Sequence, residues 1–104
     1  MKLNMLERIM AISAISEYKE GNFITFKTIS SLRNKLFVTE EEQKEFELRI
    51  EDGRYLWNNK GQESIEIELT EGEINLIKEQ LKKINDSDRL TEQHYSLYEK
   101  VVGE

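Results

Sequence analysis

The stretch Phe46-Glu47-Leu48-Arg49-Ile50-Glu51-Asp52-Gly53-Arg54-Tyr55-Leu56-Trp57 decides the fold class. Before its midpoint, Phe46, Leu48 and Ile50 alternate with Glu47, Arg49 and Glu51, the two-residue period of a strand with one wet face. Asp52-Gly53 is the dipeptide that a type I′ turn selects, because both of its central positions need positive φ. A loop of that kind pairs Ile50 with Tyr55 and Leu48 with Trp57, so the four side chains fall on one sheet face. With this many helical patterns around it, such a face is expected to be covered, and Tyr55 and Trp57 are read as core.

Outward from the hairpin, the period changes to that of helices. On the C-terminal side, Asn59-Lys60-Gly61 makes a turn, and Ile65, Ile67 and Leu69 alternate with Glu66 and Glu68 as a third strand, giving an antiparallel meander. Thr70 with Glu73 is a capping box that opens a helix striped by Ile74, Ile77, Leu81 and Ile84. Asn85-Asp86-Ser87-Asp88 interrupts that stripe. Leu90 ahead of Thr91 sets up a hydrophobic staple to Tyr95, starting a last helix with Leu97, Tyr98 and Val101.

On the N-terminal side, Asn4 and Glu7 form another capping box, and Leu6, Ile9, Met10, Ile12 and Ile15 make a broad apolar face over a helix of about residues 5–19. Gly21-Asn22 supplies its C-terminal end. Thr25 caps a second helix carrying Phe26, Ile29, Leu32 and Leu36. Thr39 with Glu42 caps a short third one, whose Glu40, Glu41 and Glu42 suit the positive end of a helix dipole. The expected fold is therefore α+β: two to three N-terminal helices, a three-stranded antiparallel meander and two C-terminal helices, in one domain over residues 1–104.

Composition narrows the function classes. A chain of 104 residues supplies one core, and its 38% hydrophobic content is patterned as a folded domain requires. No apolar run approaches the roughly 18 residues of a membrane span. Glu7 and Arg8 interrupt the N-terminal apolar stretch, so a secretory signal is not expected and the location is read as cytoplasmic. With no cysteine in the chain, disulfides, thiolate zinc sites and a cysteine nucleophile are all absent.

Charge is uneven: the net −6 divides into +3 over residues 1–37 and −9 over residues 38–104. An acidic surface repels phosphate backbones, and general nucleic-acid binding is not expected. The order helix, helix, short helix, hairpin over residues 5–58 is that of a winged helix, with Lys27, Arg33 and Lys35 as its basic patch. Its reading helix, however, would be Glu40-Glu41-Glu42-Gln43-Lys44-Glu45, whose carboxylates face phosphates badly. His94 is the single histidine and is read as a packed or capping residue. Asn85, Asp86 and Asp88 lack the spacing and glycine of a calcium loop. There is neither a glycine-rich phosphate loop nor a nucleophile elbow. No catalytic, cofactor-binding or metal-binding residue is assigned, and an enzyme is not expected.

Several segments form a familiar set: Gly21-Asn22-Phe23, Val38-Thr39-Glu40-Glu41-Glu42, Asp52-Gly53-Arg54 with Trp57-Asn58, and Arg89-Leu90-Thr91 with His94 and Leu97-Tyr98-Glu99-Lys100. Together they resemble small uncharacterised proteins encoded by phages and prophages of low-GC Gram-positive bacteria. The resemblance spans most of the chain and implies a compact accessory gene product made inside a bacterial cell. It carries over no activity, cofactor or site residue.

The expected role is a non-enzymatic protein acting by protein–protein interaction, with a host protein as one class of partner. Its sharper form is an acidic, DNA-mimicking inhibitor of a host nucleic-acid enzyme, using Glu40, Glu41, Glu42, Glu45, Glu66 and Glu68 as partner-binding residues. A winged-helix-like nucleic-acid-binding regulator is the other alternative. Self-association through Leu97, Tyr98, Val101 and Val102 competes with docking of the last helix on its own domain.

Overall fold

Three Asn/Thr-x-x-Glu sequences build three helix starts in the same way. The computed structural model describes residues Met1–Gly103. In it, the Asn4 side chain accepts from the Glu7 amide and Glu7 accepts from the Asn4 amide, opening α1 (Met5–Ile15). Thr39 and Glu42 do the same for α3 (Glu40–Glu45), as do Thr70 and Glu73 for α4 (Glu71–Asp86). Each box satisfies amides that a helix start otherwise leaves unpaired.

The other helix boundaries depart from expectation. Helix α1 ends at Ile15 rather than near residue 19. The Gln80 amide donates to the Ala14 carbonyl, which also receives the Glu17 amide, and Tyr18 turns onto the core beneath the Lys83 ammonium. Helix α2 (Phe23–Leu36) starts at Asn22, not Thr25, because the Asn22 oxygen accepts from both the amide and the hydroxyl of Thr25. The last segment splits into a 3-10 turn (Glu92–His94) and α5 (Tyr95–Val101). Tyr95 is exposed and closes no staple, whereas Leu97 and Val101 are buried and dock α5 on its own chain.

The fold is α+β, with five α-helices and two small antiparallel sheets among the described residues. Strands β2 (Arg49–Glu51) and β3 (Arg54–Leu56) form the expected hairpin with Ile50 opposite Tyr55. Asp52 and Gly53 have φ of 53° and 75°, as a type I′ turn demands.

The meander is not formed. The third strand, β4 (Ile65–Glu66), pairs with β1 (Lys2–Leu3) at the start of the chain, placing Lys2 opposite Glu66 and Leu3 opposite Ile65. The turn at Asn59–Gln62 returns the chain across α1, with Gly61 buried against Trp57 and Met5. From there, pairing with β1 delivers Ile67 and Leu3 to the main core, which a third strand beside β3 would not do.

Helix α1 is the centre of that core, packed against α2, α4 and α5. Ala11, Ala14 and Ile15 meet Ile29, Leu32 and Leu36 of α2 and Ile77, Leu81 and Ile84 of α4. Phe26, expected in the α2 stripe, is exposed. Because α1 is surrounded, its buried surface also includes Glu7 and Arg8. The apolar face expected from Leu6, Ile9, Met10 and Ile12 is only half-buried. A smaller cluster of Met5, Val38 and Phe46 joins α1 to α3, with Ile9, Leu48 and Trp57 packed on it. No helix among the described residues is long and apolar enough to cross a membrane.

Candidate functional site

The third strand's departure leaves the hairpin as a two-stranded flap with one face incompletely covered. Trp57 packs on the smaller cluster, as expected, but Ile50 is 65% and Tyr55 43% exposed, so the reading of Tyr55 as core is corrected. Two-stranded ribbons lack the area to bury a face unaided, and here the helices spend their apolar stripes on one another.

Beneath Tyr55 lies a groove of about 260 Å³. Met5, Ile9 and Ile12 of α1 make its floor, Leu36, Phe37 and Val38 one wall, and Leu48 and Tyr55 the other. Its one charged lining residue, Arg8, is only 3% exposed and already engaged. Arg8 Nε donates to the Leu36 carbonyl at 2.8 Å, and Nη2 to the Phe37 carbonyl at 3.0 Å. The two terminal nitrogens also clasp Glu42, at 2.9 and 3.2 Å. Arg8 thus holds the wall in place while offering an occupant little, and apart from Arg8 and the exposed Ser13 the groove is lined by apolar side chains and Tyr55.

Arg8 and Phe37 are shared with a second, more open depression of about 380 Å³ on the other side of that wall. Three of the six expected partner-binding carboxylates, Glu42, Glu66 and Glu68, line it, together with Lys35. The structure therefore brings half of the predicted set together, though not all of it is free. Glu42 sits below the ordinary carboxylate range because Arg8 hydrogen-bonds it, which outweighs its partial burial. Glu66 is lowered by the Met1 ammonium that donates to it. Glu68, Glu40, Glu41 and Glu45 are exposed and form no ion pair with described residues.

The basic patch is dispersed: Lys35 pairs with buried Glu73 at 2.7 Å, Arg33 donates to Ser16, and Lys27 is exposed. His94 is buried, and its Nδ1 accepts the Thr91 amide at 3.0 Å. Desolvation lowers its pKa, with the Glu17 charge opposing. The described residues contain no group of three or more His, Asp or Glu placed to hold a metal ion.

The groove was not visible in the sequence. Ile9, Phe37 and Tyr55 come from three distant segments, and the one local signal is Phe37-Val38, apolar residues persisting past the end of α2. Comparison with protein-family models, with curated proteins and with solved structures returns no match for this chain.

Proposed function

We propose that this chain is a non-enzymatic phage or prophage accessory protein, made in the bacterial cytoplasm, that works by binding another protein through the groove between α1 and the hairpin. The observation behind this reading is the groove itself. An apolar recess rimmed by exposed Phe37 and Tyr55 is the kind of surface on which an aromatic or aliphatic anchor gains most.

The test is capture from bacterial lysate by the tagged chain and by Tyr55→Ser and Phe37→Ser variants. Both side chains are half-exposed, so the fold should tolerate the changes. A protein retained by the wild type and lost with both variants supports the reading. Identical capture by all three overturns it.

A second reading is supported by the exposed, unpaired carboxylates on α3: an acidic inhibitor of a host nucleic-acid enzyme. Here capture would be indifferent to Tyr55 and Phe37 but abolished by reversing Glu40, Glu41 and Glu45, and by raised salt.

A further inference from the structure

The apolar groove and the carboxylate-lined depression adjoin, divided by the wall of Arg8 and Phe37. An occupant that extends past Phe37 would reach the second. Resting on the groove reading above, we propose that the occupant is a protein segment presenting a bulky apolar side chain flanked by lysine or arginine, the apolar group entering beneath Tyr55 and the cation meeting Glu68.

Charge complementarity selects this partner. The floor holds no buried side-chain polar atom without a hydrogen-bond partner among the described residues, and four of the five Arg8 N–H donors go to Glu42 and two carbonyls. The groove therefore rewards mainly apolar contact, with the neutral Ser13 hydroxyl as its one exposed polar side chain besides Tyr55, and does not set the sign of the partner's charge. The surroundings set it. Glu68 in the adjoining depression, and Glu40, Glu41 and Glu45 on α3, which follows Val38 in sequence, are exposed and form no ion pair with described residues. Of the nearby cations, Arg8 is paired with Glu42, Lys35 with Glu73, and Arg49 with Glu51 at 3.3 Å. Lys44 on α3 and Arg54 beside Tyr55 are exposed and form no ion pair with described residues, and the four free carboxylates outnumber these two. An acidic-flanked segment would be repelled on approach and a basic-flanked one steered in.

A second copy of the chain is the competing occupant. It carries a net −6, and a two-fold contact across this surface would set the carboxylates of one copy near those of the other. The same charges that favour a basic segment oppose self-pairing.

The experiment titrates the purified chain into three fluorescein-labelled amphipathic peptides of roughly four helical turns, made of Leu and Lys, Leu and Glu, or Ser and Lys, with anisotropy as the readout. The Leu/Lys peptide is expected to bind about tenfold or more tighter than either control, and to weaken about tenfold on raising salt. Tyr55→Ser and Glu68→Lys should each weaken it at least about fivefold, while Glu99→Lys on α5, which lines neither depression, should not. Circular dichroism checks that each variant is folded.

Equal binding of Leu/Lys and Leu/Glu overturns the proposal, as does equal weakening by Glu68→Lys and Glu99→Lys. A dimer by light scattering that Tyr55→Ser abolishes also overturns it, assigning the groove to a second copy. If lysate capture depends on Tyr55 while the Leu/Lys peptide shows no advantage, the groove reading stands and the basic segment falls. If Tyr55→Ser alters neither capture nor peptide binding, both fall.

Discussion

Arg8 and Glu42, 34 positions apart, form a two-pronged ion pair that ties the central helix to the start of α3. Glu42 is at the same time the acidic member of the α3 capping box, accepting the Thr39 amide at 3.0 Å. The other two capping boxes repeat the device. Glu7 accepts from Lys100 of α5 at 2.7 Å, and Glu73 from Lys35 of α2 at the same distance. In each case a residue chosen for local helix geometry also carries a tertiary contact, so helix starts and helix packing are coupled.

That coupling makes Arg8→Met costly. The methionine fills the volume but strands the Leu36 and Phe37 carbonyls and leaves Glu42 without its cation. Breaking a largely buried pair from one side costs about 3 kcal/mol or more, a Tm drop of roughly 15 °C for a domain of this size. Glu42→Gln, on the partly exposed partner, should cost less, and the double variant less than the sum of the singles. Urea melts followed by Trp57 fluorescence check all three. Additive effects would show that the pair is not coupled.

Acid should destabilise the protein over two pH ranges with separate causes. Burial pushes up the carboxyls of Glu7 and Glu73, but the Lys100 and Lys35 ammoniums and the capping amides outweigh it, and both end below their ordinary value of 4.5. A carboxyl lowered in the folded state contributes stability that is complete above its unfolded value and disappears as pH falls below it. His94 acts at higher pH. Its folded pKa lies below the ordinary 6.5, because desolvation disfavours the cation and Nδ1 must stay unprotonated to accept the Thr91 amide. Its contribution is therefore full above about 6.5 and is lost as pH falls through the folded value. Thermal melts against pH should show a shallow decline starting near 6.5, removed by His94→Asn, and a steep one below about 4.5, softened by Glu7→Gln and Glu73→Gln. As the chain has one histidine, its ring resonances report the folded pKa directly.

Legibility in the sequence followed range. The capping boxes at Asn4, Thr39 and Thr70 and the Asp52-Gly53 turn are interactions within four residues, and each appears in the structure where it was expected. The pairing of β4 with β1 joins segments over 60 residues apart through two residues each, and Lys2-Leu3 is too short to show any alternation. With that pairing absent from local patterns, Ile65–Leu69 reads as a third strand beside the hairpin and Tyr55 as covered, so the groove does not show. The six carboxylates were legible as exposed charge. Which of them are spent on Arg8 and the Met1 ammonium depends on tertiary packing that no local pattern encodes.

Gly61 offers a test of the turn that redirects β4. A Cβ placed there would lie 2.3 Å from Trp57 Cδ1 and 3.0 Å from Met5 Cγ, inside van der Waals contact. Gly61→Ala should therefore displace the indole, at a cost of about 1–3 kcal/mol. Trp57 is the only tryptophan, so a shift in emission maximum in the folded variant, together with a lower melting midpoint, reads both effects. Unchanged emission would mean that the turn itself gives way.

Two helices end on a non-glycine residue in the left-handed region, and they should answer differently to glycine. After α3, Glu47 has φ of 52°, and the Leu48 amide closes onto the Gln43 carbonyl. After α4, Asp88 has φ of 57°, and the Arg89 amide closes onto Ile84. Both are Schellman ends, where glycine avoids the strain of a Cβ at positive φ. The Asp88 side chain makes no hydrogen bond among the described residues, so Asp88→Gly should stabilise the chain by about 0.5–1 kcal/mol. Glu47, by contrast, accepts from Asn58 Nδ2 at 2.9 Å, tying the end of α3 to the residue that caps the turn after the hairpin. Glu47→Gly relieves the same strain but loses that bond, worth about 1 kcal/mol at most on an exposed surface, and should come out near neutral. Paired urea melts decide it. Equal stabilisation by both variants would show that the Glu47–Asn58 bond contributes nothing in solution.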